Sequence, residues 1–166
     1  MALPIITYGK DVLRKTSRVI PDVTDLGETI DRLIDDMFGA LDGARGVGLA
    51  AVQVGKLVRL FITHVQGDAR RVFINPDIVE TSVEEGTFEE GCLSIPGVDA
   101  EVVRPLAVKI QAWDRKGKPF VLTADGLLAR VIQHENDHLN GILFVDRIEP
   151  KRAKRVLKTY AQKAAV

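Results

Sequence analysis

Apolar residues recur at helical spacing over residues 25–42. Leu26, Ile30, Leu33, Ile34, Met37 and Leu41 share one face, while Asp31, Arg32, Asp35 and Asp36 fall on the other. This predicts an amphipathic helix, broken by Gly43 and Gly46. The middle of the chain then changes period. Residues 57–63, 71–75, 78–84, 107–113 and 120–123 read as short strands. Val108, Ile110 and Ala112 alternate with Lys109 and Gln111, the rhythm of a half-buried strand, and Asp114-Arg115-Lys116-Gly117 reads as the hairpin turn after it. A second helix is predicted over residues 125–140, with Asp125 as its N-cap and Gly141 as its stop. A third follows Pro150 and carries Val156, Leu157, Tyr160 and Ala164 on one stripe. Strands grouped between helices, without regular alternation, predict an α+β fold. There is no repeat, low-complexity tract or linker, so the expectation is one domain spanning residues 1–166.

Charge changes this picture at one end only. The chain balances 23 basic against 23 acidic residues. Six of the basic ones (Lys151, Arg152, Lys154, Arg155, Lys158 and Lys163) lie in residues 151–166, which contain no acid. An acidic body with a basic tail suggests a polyanionic partner for the tail, with a solvated helix face as the plainer alternative. Nothing global points to DNA or a membrane. No apolar run is long enough to span a bilayer, and MALPIITYGK lacks the features of a signal peptide. The single cysteine, Cys92, excludes an intrachain disulfide and fits a reducing compartment.

The second helix holds the chemistry. His134-Glu135-Asn136-Asp137-His138 places two imidazoles one turn apart on one face, so both can reach one ion while Glu135 reaches a water on it. Leu127, Val131, His134 and His138 make one stripe; Leu128, Ile132, Glu135 and Leu139 make the next. The polar groups thus point the way the apolar ones do, and buried polar groups need partners, which a metal supplies. A solvated helix, or core histidines bonded to carboxylates, remain the alternatives.

Catalytic sites of this type use three protein ligands and an open position. Downstream of His138 only Asp146 and Glu149 are acidic, there is no histidine, and the last helix would repel a cation. Upstream, Cys92 lies in Glu89-Glu90-Gly91-Cys92-Leu93-Ser94-Ile95-Pro96, whose Gly91 and Pro96 favour extended or turning backbone. A thiolate suits Zn(II) or Fe(II). A buried cysteine acting as a small hydrophobe, or a Cys–His nucleophile pair, would use Cys92 differently. A third segment, residues 46–53, is small and apolar and ends in the Gln53 amide. Gly48 would let backbone approach a ligand closely. A tight turn, with Gln53 on the surface, explains the same residues. His64 reads as surface or strand-end decoration.

Together, GVGLAAVQ, EGCLS and QHENDH, in this order and spacing, resemble the three signature motifs of the peptide deformylases. The resemblance spans nearly the whole chain, including ITYGKDVLR and DRKGKPF, and is nearest to the bacterial type. It implies a fold of antiparallel sheets surrounding a central H-E-x-x-H helix, with a C-terminal helix. It implies a metal-dependent hydrolase that removes the formyl group from N-formylmethionyl nascent peptides and releases formate. Cys92, His134 and His138 match the metal ligands, Glu135 the catalytic acid/base, and Gln53 with the Leu93 N–H the oxyanion donors. Gly48 matches a backbone contact to the substrate, and Val47 and Val131 fall where the methionine pocket is expected. The implied native ion is Fe(II), with Zn(II), Ni(II) and Co(II) forms also known. The implied location is the cytoplasm of a bacterium, or an organelle, with the ribosome as a partner for the basic helix. Some relatives carry an arginine shortly after EGCLSIP; here Asp99 stands near that place. A small zinc endopeptidase, which would need a downstream ligand, and a catalytically silent ribosome-binding relative are the competing readings.

Overall fold

The structure, a computed structural model, describes residues 3–165. Met1, Ala2 and Val166, the ends of the N-terminal segment and basic tail considered above, lie outside the described residues. The first helix, α1, spans Gly27–Gly43. Three strands follow: β1 (Gly48–Ala50), β2 (Leu60–Thr63) and β3 (Arg71–Thr81). A hairpin comes next, β4 (Glu85–Cys92) with β5 (Ile95–Pro105), and then β6 (Ala107–Trp113) with β7 (Pro119–Asp125). Two helices close the chain, α2 (Gly126–Leu139) and α3 (Pro150–Ala164). One sheet is five-stranded in the order β1-β2-β3-β6-β7; β4 and β5 form a second sheet alone, and all these strand pairs are antiparallel. The α+β expectation holds, with α2 central and a C-terminal helix outside it.

The five-stranded sheet is covered on both faces, and strand alternation shows how. Leu60 and Ile62 of β2 join Leu33, Met37 and Leu41 of α1 in one apolar cluster. Phe61, between them, points the other way and meets Phe73, Ile110, Ile132 and Leu139. Phe61 and Phe73 stack with ring centroids 4.6 Å apart. A strand buried on both faces loses its polar alternation, so β2 is wholly apolar apart from Thr63. The helix α2 is buried over most of its circumference: from Ala129 to Leu139 only Asn136 is not fully buried. A third cluster, with Ile95, Val102, Phe144 and the stripe Val156, Leu157 and Tyr160, fastens α3 to the hairpin.

Four local expectations are corrected. The strands expected over residues 71–75 and 78–84 are one bent strand that ends at Thr81. Pro76 cannot donate to a ladder, and the register shifts between Ile74 and Asp77. Asn75 there takes φ 48° and exchanges two 2.9 Å hydrogen bonds with the backbone of Ile20. The strand predicted from residue 57 begins at Leu60. Asp125 occupies the N-cap position of α2, yet its side chain makes no capping bond, because β7 runs directly into the helix. The hairpin β4–β5 was not anticipated as strands at all. By contrast, Gly141 does stop α2: it takes φ 72°, and a Cβ there would lie 2.4 Å from the Arg14 carbonyl oxygen.

Candidate active site

Cys92 is the last residue of β4, where the register with β5 shifts after Gly91. Such an irregularity redirects a side chain, and here it turns the thiol towards α2. The Sγ lies 3.4 Å from His138 Nε2. One donor atom from each of Cys92, His134 and His138 falls within 4.8 Å of the other two. A tetrahedral zinc-type centre puts sulfur and nitrogen ligands about 3.5 Å apart, so the Cys92–His138 separation fits. Asp146, a downstream acid considered from the sequence, is elsewhere, paired with Arg14 at 2.5 Å.

The two imidazoles are prepared differently. His134 Nδ1 lies 2.9 Å from Glu90 Oε1, which turns the ring so that Nε2 faces the thiol cluster. Burial disfavours its charged form, but hydrogen bonds to Cys92 and Glu90 and the Glu135 charge outweigh this and hold its pKa well above the ordinary histidine value. His138 is fully buried, and that burial, with His134 beside it, holds its pKa well below the ordinary value. Its favoured form is therefore the neutral imidazole. Its Nδ1 has no partner, and neither does Oε1 of the buried Glu135. Burial pushes the Glu135 pKa up to about 7. The orphaned Glu135 Oε1 beside a cluster of sulfur and imidazole donors is what a site for a cation and its water displays.

Gln53 is buried rather than on the surface. Its Oε1 accepts from the Ala50 N–H at 2.9 Å, and its Nε2 donates to Ser94 Oγ at 3.0 Å and lies 3.8 Å from Cys92 Sγ. Gly48 in β1 passes against Glu135: a Cβ there would lie 2.6 Å from Val131 Cγ1 and 2.8 Å from Glu135 Oε2. Only glycine lets β1 come this close. Val47, Gly48, Gln53, Leu93, Val131 and Glu135 all line one cavity of about 440 Å³, which also touches Cys92 and His134. This volume suits a small ligand. Of the residues given a catalytic, metal-binding or substrate role from the sequence, all but His138 border that space, and His138 lies beneath it, wholly buried. His64 is half-exposed, 3.5 Å from Asp42.

Sequence reasoning missed the support behind the ligands. Glu90 accepts Arg104 Nε at 2.6 Å and Nη2 at 3.0 Å, and Arg130 Nη1 at 3.0 Å. Arg104 also reaches Asp137 at 2.9 Å, which in turn binds Arg147 at 2.7 Å. Burial would raise the Glu90 pKa, yet the bonds from His134 and Arg104 bring it down to about 2, so Glu90 is a carboxylate. One signal was available: Glu90 precedes Cys92 by two residues, hence shares its face if the segment is a strand.

Residues 2–154 match the family described as Polypeptide deformylase. The peptide deformylase of Chromobacterium violaceum is 51% identical over 156 residues, covering 93% of this chain and 91% of that one. Among solved structures, a peptide deformylase from Legionella pneumophila superposes with a TM-score of 0.89 at 40% identity, covering 99% and 98% of the two chains. Another from Ehrlichia chaffeensis, in complex with actinonin, gives a TM-score of 0.90 at 34% identity, covering 98% and 97%. Sequence, fold and cavity therefore lead to one assignment: this chain belongs to the peptide deformylase family, hydrolases that remove N-formyl groups from nascent peptides.

Proposed function

We propose that Cys92, His134 and His138 hold one divalent ion, natively Fe(II) and replaceable by Zn(II), Ni(II) or Co(II), and that Glu135 carries the protons of deformylation. The observation that carries this reading is the meeting of the three donor atoms beside an unpartnered, buried Glu135. Family membership supports metal dependence in general; the sulfur and imidazole donor set accommodates any of these ions, and Fe(II) is the one the family resemblance implies. When bound, such an ion supplies Lewis acidity to the attacking water and the formyl oxygen. The chain's own groups do the rest. Glu135, with its pKa near 7, takes a proton from the water as it attacks the formyl carbon and delivers it to the departing amine. Gln53 Nε2 and the Leu93 N–H donate to the oxygen that gains charge, each worth about 3 kcal/mol of transition-state stabilisation. Gly48 offers its backbone to the peptide, and Val47 and Val131 face the methionine side chain, with Phe88 and Leu127 extending that apolar wall.

On this reading the whole chain works as one catalytic unit in the cytoplasm of a bacterium, or in an organelle. Among the described residues no helix is long and apolar enough to cross a membrane. Lys151, Lys154, Arg155 and Lys158 are exposed on α3, and they are suited to ribosomal RNA phosphates, a contact that would weaken with salt. Part of the tail's charge is used internally, since Arg152 donates to the Glu101 carbonyl and Lys163 to the Gly97 carbonyl.

The test is formate release from a formyl-Met peptide, measured alongside bound metal, for Glu135→Ala and Cys92→Ala. Glu135→Ala should keep its ion and lose turnover by about 10²–10⁴-fold; Cys92→Ala should lose the ion. An active Glu135→Ala, or a fully loaded Cys92→Ala, overturns the assignment.

A further inference from the structure

The face of the five-stranded sheet that meets α2 carries a polar group that its packing does not explain. Phe61 points to α2, and Thr63, two residues further along β2, points the same way. Thr63 is fully buried, and its hydroxyl oxygen has no hydrogen-bond partner among the described residues. A buried polar group in that state is costly and calls for a cause.

The strand register identifies its neighbours. Thr63 stands directly opposite Gly48 on β1, so the two share a face, with their Cβ positions about 5 Å apart. A Cβ at Gly48 would lie 2.8 Å from Glu135 Oε2 and 2.9 Å from Glu135 Cγ. The glycine thus leaves a gap that the Glu135 side chain enters, and Thr63 borders that gap from β2. Oε1 of Glu135 is likewise buried and unpartnered. A carboxylate oxygen has two lone pairs, so Oε1 can serve the reacting centre and still accept a bond from the side of β2. Arg71, opposite Thr63 on β3, has no acceptor atom and is bonded to Asp68. Leu128 and Ile132, on the same stripe of α2 as Glu135, have no polar side-chain atom. A buried donor and a buried acceptor left without partners on facing elements are what one buried water bridges.

We propose that Thr63 is a positioning residue for deformylation: its hydroxyl is hydrogen-bonded to Glu135 through one buried water and fixes that carboxyl against β1, ready to take the proton. The proposal rests on the reading of Glu135 as the acid/base and adds the group that orients it. Thr63 is not among the described residues that line the substrate cavity. Its effect therefore belongs in kcat rather than KM.

The experiment compares Thr63→Val and Thr63→Ser with the parent, each loaded with metal, in steady-state hydrolysis of formyl-Met-Ala-Ala. Bound metal and the urea unfolding midpoint are measured alongside. Valine keeps the shape of threonine and removes the hydroxyl. Thr63→Val should lower kcat by about tenfold, the effect of losing one hydrogen bond to a charged group, with KM and bound metal at parental values. Thr63→Ser, which keeps the hydroxyl, should recover most of that loss. A crystal structure of the loaded parent should place one water within hydrogen-bond distance of both Thr63 Oγ1 and Glu135 Oε1. A merely structural role gives a different pattern. A hydroxyl that only burdens the core makes Thr63→Val unfold at higher urea with kcat unchanged, and that result would overturn the proposal. So would a loss of bound metal matching the fall in kcat, or a Thr63→Ser protein as slow as Thr63→Val. A parent that fails to turn over formyl-Met-Ala-Ala would overturn the deformylase reading and the role built on it. Normal parental turnover with an unaffected Thr63→Val would overturn the role of Thr63 alone.

Discussion

The two sheets of this protein are held in place by different physics. The five-stranded sheet lies between apolar residues on both faces: Leu60, Ile62 and Ile74 towards α1, Phe61, Phe73 and Ile110 towards α2. The hairpin β4–β5 shares some apolar contact through Val102 and Ile95, but it meets α2 through Glu90, Arg104, Arg130 and Asp137, all buried and bonded to one another. Apolar burial is strong and nondirectional; it sets which face is covered, not the angle of a ring. Charge-assisted hydrogen bonds are directional. The chain uses the first where a sheet needs only to be stable, and the second where a thiol on one sheet must meet an imidazole on a helix. Buried ion pairs add little net stability over apolar replacements, so their use here fits a positioning role.

The sharpest way to break this contrast is to remove the carboxylate at the centre of the network. Glu90→Ala leaves Arg104 and Arg130 buried without their partner, and the expected loss of stability is about 3–5 kcal/mol. It also frees the His134 ring, with metal affinity falling by about 10–100-fold. Urea unfolding and competition with a chelator measure the two separately. Unchanged metal affinity in a folded Glu90→Ala protein would mean that the network stabilises the hairpin without orienting the ligand.

Gly48→Ala probes the one place where the apolar sheet itself borders the reacting centre. The added methyl meets Val131 and Glu135 at well under contact distance. The expected cost is about 1–3 kcal/mol of stability, with a larger loss of turnover because Glu135 must move. Retained kcat at parental stability would show that β1 can shift away freely.

These two positions also mark what could be read from the sequence. β2, β6 and both major helices were visible because their apolar residues obey a period. His134, Glu135 and His138 were visible because H-E-x-x-H fixes a spacing on one helix, Cys92 because no downstream histidine completes a ligand set, and Gly48 and Gln53 because the resemblance named them. The hairpin was invisible for a physical reason. β4 reads Glu-Gly-Thr-Phe-Glu-Glu-Gly-Cys, and its buried side is occupied at Glu90 by an ion-paired carboxylate, so hydrophobic alternation has nothing to report. Arg104 and Asp137 escaped notice likewise, because charged residues are presumed exposed until a partner from a distant segment is seen. Asn75-Pro76 misled in the opposite direction, since the residues that usually end a strand here bend one.

Ile62→Val tests the apolar side of the contrast. Ile62 is fully buried in β2, and losing one methylene should cost about 1 kcal/mol. Bound metal and kcat should stay at parental values, because no directional contact is touched. A measurable loss of metal affinity from this change would show that packing density in the five-stranded sheet also tunes the ligands.

The smallest expected effect comes from an ion pair resembling that of Glu90 but only partly buried. Arg71 donates twice to Asp68, at 2.7 and 2.9 Å, much as Arg104 donates twice to Glu90. The hydrogen bonds from Arg71 hold the Asp68 pKa below the ordinary value of 3.8, despite a small opposing effect of burial. A carboxyl whose pKa is depressed on folding contributes stability above its unfolded pKa, and loses that contribution as pH falls through the folded one. Asp68→Asn should therefore lower stability at pH 7 by no more than about 0.5 kcal/mol, because solvent screens the pair. The gap between parent and variant should close as pH drops below about 4, and neither metal content nor turnover should change. Unfolding midpoints of both proteins across pH 3–7 measure it. A gap that persists unchanged at the acid end would remove the ion pair as its cause. A gap as large as that of Glu90→Ala would show that burial is not what separates the two arginine–carboxylate pairs.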